Sequence, residues 1–178
     1  MNLLSVTVTS DLKWTSNTER IILKAYKRLW ILRRLKSLGA SKENLVEVYT
    51  THIRPALEFA VPVWHPNLNK KCSALIERVQ KCACKIILQS QYFSYRSAQR
   101  ILKLQPLSLR RNRMCMKFAL NCEKQDKFSN WFIPEKKIVN TRLKQTKFKS
   151  VNTKTSRLKN SPISFLTDIL NTYYSSLS

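Results

Sequence analysis

A single glycine, Gly39, stands in a chain of 178 residues. That count constrains the fold more than any motif does. All-β folds and Rossmann-type folds use glycine in their turns, where the backbone becomes left-handed or passes close to a ligand. One glycine cannot furnish many such turns, nor a glycine-rich phosphate loop. The chain is therefore expected to be mainly α: an irregular multi-helix bundle with one short N-terminal strand and a basic, partly disordered C-terminal tail. Its length suffices for one domain of ordinary size with a core able to stand alone.

The strand lies in residues 1–14. Over 3–9 the residues alternate, Leu4, Val6 and Val8 against Ser5, Thr7 and Thr9, which is the period of a strand. No second segment of that quality follows, so this is expected to be an orphan strand, a remnant of a larger sheet with partners upstream of Met1 or in another chain.

Residues 15–132 carry helical spacing. Ser16 and Glu19 have the capping-box form and open a helix over about 17–38, with Ile21, Ala25, Leu29, Leu32 and Leu35 inward and Gly39 as a left-handed cap. Ser41 caps the next helix, which Pro55 should kink or restart and Pro62 and Pro66 should end around Trp64. A further helix spans about 69–88, its expected core stripe being Leu75, Val79, Cys82 and Ile86. A short helix at about 94–102 precedes one at about 107–123, where Met114, Phe118 and Leu120 are expected to face the core. Trp131 and Phe132 close this region. Residues 133–178 differ: 136–167 hold nine Lys or Arg and no acid, which reads as an irregular basic tail. Ser161 to Asn171 regains helical spacing as a candidate terminal helix.

Charge points to the partner. Lys and Arg number 33 and Asp and Glu 10, a net charge of +23, which calls for a polyanion, nucleic acid first. Three helices carry basic rows: Lys24, Lys27, Arg28 and Arg34; Arg78, Lys81 and Lys85; Arg110, Arg113 and Lys117. Such rows can follow a sugar-phosphate backbone without reading sequence; the alternative is a solvated helix face. Trp14, Trp30, Trp64 and Trp131 could stack on bases, although core anchoring is the commoner role. A structural cluster is expected at Arg54, Pro55, Glu58, Pro62 and Trp64, with Arg54 and Glu58 paired at i,i+4 spacing.

Catalytic and metal sites are not expected. Two-metal phosphoryl chemistry needs clustered carboxylates, and Asp11, Asp126 and Asp168 each lack an adjacent acid. A zinc site from Cys72, Cys82, Cys84, His52 and His65 is disfavoured, because Cys82 and Cys84 lie two apart on a helix and face different ways. Five cysteines without a secretion signal suggest reduced thiols and an intracellular location, nucleus or cytoplasm, not a secreted protein. No stretch approaches the ~20 apolar residues of a membrane span, and no small-molecule substrate is suggested.

Two segments carry a resemblance. IRPALEFAVPVWH, Ile53 to His65, follows the form I-R-P-x-L-E-Y/F-A-x-P-V-W. LIERVQKCACKIIL, Leu75 to Leu88, follows L-E-x-x-Q-x-x-A-x-x-x-I-L. Both patterns resemble reverse transcriptases of jockey-type non-long-terminal-repeat retrotransposons. LLSVTVTSDLKWTSNTERI is similar to that family's segment just beyond the palm, with Ser5 where the family usually has glycine. LKLQPLSLRRNRMCMKFAL and SRLKNSPISFLTDILN are similar to later parts of the same reading frame, so the resemblance spans most of the chain. It implies a thumb-like helical region plus C-terminal extension, gripping an RNA or DNA template–primer duplex behind the active site, with palm and fingers as further partners. The family's adjacent Asp pair, which would use Mg in the full-length enzyme, is absent here. The expectation is thus a truncated C-terminal fragment of an RNA-directed DNA polymerase, inactive alone and without a cofactor. The alternative is a helical protein-interaction module or a non-functional remnant of a mobile element.

Overall fold

The computed structural model describes residues 1–11, 13–135, 146–151, 154–159 and 161–177. The parts of the expected irregular tail at 136–145, 152, 153 and 160 lie outside the described residues. The described chain is mainly helical, as one glycine requires.

The N-terminus differs from expectation. Asn2–Leu3 (β1) and Val6–Thr7 (β2) pair antiparallel, Asn2 opposite Thr7 and Leu3 opposite Val6. Leu4 and Ser5 form the turn with φ of 44° and 63°, both left-handed, as a two-residue type I′ loop requires. The strand expected to be an orphan therefore finds its partner within its own seven residues, and the argument for a partner strand elsewhere falls. Neither Leu nor Ser signals such a turn, so alternation alone concealed the reversal.

The first helix, α1 (Thr15–Ser37), starts earlier than expected. Ser16 lies inside its first turn, and the Ser16–Glu19 capping box does not form. Trp14 holds the cap position without a side-chain hydrogen bond; the Thr18 hydroxyl donates back to the Trp14 carbonyl at 2.7 Å. Buried Asn17 accepts the Thr7 amide at 3.1 Å, tying helix to hairpin. The other end follows expectation. Gly39 has φ of 82°, its amide reaches the Lys36 carbonyl, and the Ala40 amide reaches that of Leu35. This is a Schellman motif.

Ser41 caps α2 (Lys42–Val48) through the Asn44 amide. A π-helical turn, Tyr49–Ile53, leads into α3 (Arg54–Glu58). The wider turn opens the ladder where Pro55 has no N–H to give and its ring would clash one turn back. Ala60, with φ of 51°, separates α3 from the single turn α4 (Val61–Trp64). Asn69 caps α5 (Lys70–Leu88), α6 is Tyr95–Ile101 and α7 is Leu107–Glu123. A 3₁₀ segment, Asp126–Trp131, follows. Then come α8 (Ser156–Lys159) and α9 (Pro162–Ser175).

Two core faces are rotated from those expected. On α5 the buried set is Cys72, Ile76, Val79, Gln80, Ala83, Cys84, Ile87 and Leu88, whereas Leu75, Cys82 and Ile86 are only half-buried. On α7 it is Leu107, Arg111, Cys115, Ala119 and Cys122; Met114 and Leu120 are half-buried and Phe118 is exposed.

The chain forms two compact units. Met1–Ala60 and Leu68–Arg111 make the first; Val61–Asn67 and Asn112–Ser178 make the second. In the first, α1 packs along α5 and α3. In the second, α9 packs against α4 and α8 and buries Leu166, Thr167, Leu170 and Asn171. Asn171 both accepts from the Phe148 amide and donates to its carbonyl, each at 2.9 Å, while Phe148 bridges Pro134.

Candidate nucleic-acid interface

Whether a basic row can bind phosphate depends on what already neutralises it. Among the ten expected contacts, Arg110 and Arg28 are engaged within the first unit. Arg110 grips Glu58 with both ends of its guanidinium, Nε to Oε1 at 2.5 Å and Nη2 to Oε2 at 2.9 Å. Arg54 stands farther off, 3.8 Å from the same carboxylate. The partner expected for Glu58 was Arg54; the nearer one is Arg110, which reaches it across the fold. Planar two-point geometry of this kind is the strong form of an arginine–carboxylate pair. The hydrogen bond to Glu58 raises the Arg110 pKa, while burial and the neighbouring Arg110 charge lower that of Arg54. Arg28 is half-buried and donates to the His52 carbonyl.

The rest are exposed. Lys24, Lys27 and Arg34 lie on α1; Arg78, Lys81 and Lys85 on α5; Arg113 and Lys117 on the part of α7 in the second unit. On the α5 row two cations sit over aromatic rings. Lys81 Nζ sits 5.2 Å from the centre of the Tyr95 ring and Lys85 Nζ 5.4 Å from that of Tyr92. A cation over a ring face is held electrostatically yet keeps its charge available. The Tyr26 hydroxyl lies 3.9 Å from Cys82 Sγ, so the row runs beside the seam between α1 and α5. None of Arg78, Lys81 and Lys85 has an acid within ion-pair distance among the described residues.

The platform beneath the row is braced from below. The Tyr95 hydroxyl donates to Glu77 and accepts from Gln80 at 2.8 Å. Glu77 also accepts the Leu107 and Ser108 amides at 3.1 and 3.3 Å, so an α5 acid caps α7, which has none in its own first turn. Gln80 reaches the Gln105 carbonyl and accepts from Tyr49. Burial, then the Glu77 hydrogen bond, push the Tyr95 phenol up.

A second basic recess lies on the opposite flank of α1. It is a pocket of about 280 Å³ lined by Arg20, Lys24, Arg28, Pro55, Ala56 and Phe59 among others. Arg20 is committed to the Ser5 carbonyl. Lys24 is the exposed cation there.

Of the tryptophans, Trp14 and Trp64 are buried, Trp131 is half-buried and Trp30 is 64% exposed, so core anchoring describes Trp14 and Trp64 but not Trp30. Trp64 and half-buried Pro62 belong to the second unit, where the Trp64 ring meets His65 edge-on and His65 meets Phe165. Tyr92, Phe93 and Tyr95 were missed. The signal is in the sequence, three aromatics within QYFSYR beside a basic helix. The cysteines separate as expected: Cys84 is buried, and burial pushes its thiol up to about 12, whereas half-buried Cys82 faces Tyr26. Among the described residues no three of His, Cys, Asp and Glu converge as a metal site, and no helix is long and apolar enough to cross a membrane.

Compared with known proteins, the chain matches no family model, no curated protein and no solved structure.

Proposed function

We propose that this chain is a nucleic-acid-gripping segment, the C-terminal part of an RNA-directed DNA polymerase of the jockey-type retrotransposon class that it resembles. It holds a template–primer duplex and carries out no polymerisation itself. The observation that supports this reading is the α5 row. Arg78, Lys81 and Lys85 are exposed and, among the described residues, have no acid within ion-pair distance, and two of them are held over tyrosine rings. Contacts of this kind go to phosphates and supply affinity without sequence preference. Palm and fingers, with their Mg-binding acids, would be supplied by residues outside these 178. An intracellular location, in nucleus or cytoplasm, belongs to the same reading.

Fluorescence anisotropy with a labelled RNA–DNA hybrid tests it. Binding should be tight at low salt and weaken steeply as salt rises. Replacing Arg78, Lys81 and Lys85 together by alanine should reduce the log–log salt slope by about 3. No binding at low salt would sink the reading. A second reading, a helical protein-interaction module, draws on Leu23, Trp30 and Leu38, apolar residues of α1 and its C-cap that are 58%, 64% and 67% exposed. Failure to bind nucleic acid together with self-association or capture of a defined partner through Trp30 would favour that module.

A further inference from the structure

We propose that Phe93 is a stacking platform for an unpaired nucleobase, so that single-stranded nucleic acid is a ligand of the α5 face. This rests on the nucleic-acid reading and extends it from duplex to strand.

Phe93 is 92% exposed. A phenyl group left in water forgoes the stabilisation of burial, and a flexible loop would let it fold back. This loop is held at both ends. The Tyr92 amide donates to the Gln89 carbonyl at 3.1 Å. On the other side Ser94 and Ser97 cap α6 reciprocally, each side chain accepting the other residue's amide. The ring thus stands on a braced segment between a 3₁₀ turn and a capping box.

Its neighbours supply the rest of the chemistry. Tyr92, one residue before, carries Lys85 over its face, and Tyr95, two residues after, carries Lys81. The segment therefore lies along the basic row, with two ordered cations one α5 turn apart. Every base has a π-face, so stacking on an exposed aromatic is tolerant of sequence, while flanking cations take the backbone phosphates. Inside a paired duplex the base faces are stacked on one another and cannot reach such a ring. The ligand is accordingly a single strand or an unpaired end.

The experiment compares a labelled oligothymidylate with a blunt duplex of equal length, titrated against the intact chain at low salt. Phe93→Ala should weaken binding to the single strand roughly 5- to 150-fold and leave duplex binding unchanged. Phe93→Trp should restore single-strand affinity and Phe93→Leu should not. Because the side chain is exposed, all three variants should melt like wild type by circular dichroism. If wild type binds the duplex but not the single strand, or if Phe93→Ala changes neither, this inference is overturned and the proposed function stands. Full restoration by Phe93→Leu would make the ring a plain apolar contact and overturn stacking. If wild type binds neither ligand, the nucleic-acid reading itself fails and this one with it.

Discussion

Glu58 gives the sharpest test of how the first unit is held together. It is one of 10 acids against 33 basic residues, and its side chain is 8% exposed. It anchors Arg110 at 2.5 and 2.9 Å and attracts Arg54 at 3.8 Å. Glu58→Gln keeps the shape and removes the charge. Two partly buried guanidinium groups would then face each other without a counter-ion. Breaking a fully buried pair costs about 3–5 kcal/mol. Arg110 and Arg54 side chains retain 28% and 20% exposure, so water recovers part of that, and about 2–4 kcal/mol is expected. Urea denaturation should show it as a lower midpoint with an unchanged slope. Arg110→Met should cost less, about 1–3 kcal/mol, since Arg54 remains beside the carboxylate. The double variant should cost less than the sum of the two, a coupling of about 1–3 kcal/mol. Glu58→Gln also frees Arg110, so residual folded protein should bind nucleic acid with a salt slope steeper by up to about 0.9. A loss under about 0.5 kcal/mol with zero coupling would refute the claim that this clamp is structural.

Three further outcomes follow from local chemistry. Glu77→Gln can still accept one α7 amide, but it loses the charge shared by Tyr95 and two backbone N–H groups; about 1–2 kcal/mol should be lost in the same denaturation assay, with faster hydrogen exchange of the Leu107 and Ser108 amides. Ser5→Gly should stabilise the hairpin by up to about 1–2 kcal/mol, because Ser5 has φ of 63° and glycine carries no penalty there; a neutral or negative effect in thermal melts would contradict the turn. Burial raises the Cys84 thiol from 9.0 to about 12. The unfolded thiol then ionises first, so this group's contribution is complete below about pH 9 and is lost as pH rises toward 12. Cys84→Ala should flatten that alkaline limb, and native Cys84 should alkylate at pH 8 far more slowly than in urea.

The helices were legible where the backbone itself demands particular residues. Ser41, Asn69 and Ser94 each cap the helix that follows them, and Gly39 takes the left-handed position that only glycine adopts freely. What the sequence hid was phase. On α5 apolar residues occupy neighbouring positions, Leu75 with Ile76 and Ile86 with Ile87, so two stripes one residue apart read equally well. The structure chooses the stripe that includes Gln80, because Gln80 there satisfies Tyr49, Tyr95 and the Gln105 carbonyl at once. On α7 the buried face is Leu107, Arg111, two cysteines and an alanine, while large Phe118 lies outside. A pattern read by hydrophobicity alone assigns Arg111 to solvent and Phe118 to the core.

The basic rows suffered the reverse error. Lysines and arginines at helical spacing look equivalent in a sequence, yet Arg110 is bound to an acid 52 residues away, Arg28 to the His52 carbonyl, and Lys81 and Lys85 rest on tyrosines. Only a contact distant in sequence decides which cation is spent within the fold and which is left for a partner. With so few acids, each one held inside the fold by hydrogen bonds influences which basic residues remain outside. Glu58 removes Arg110 and draws in Arg54. Glu77, by holding Tyr95 beneath Lys81, keeps Lys81 facing out. Under the proposed function, the positions of these two acids, more than the total charge, would decide where a polyanion binds the first unit. That is why the stability of the Glu58 clamp and the salt slope of binding should change together in one variant.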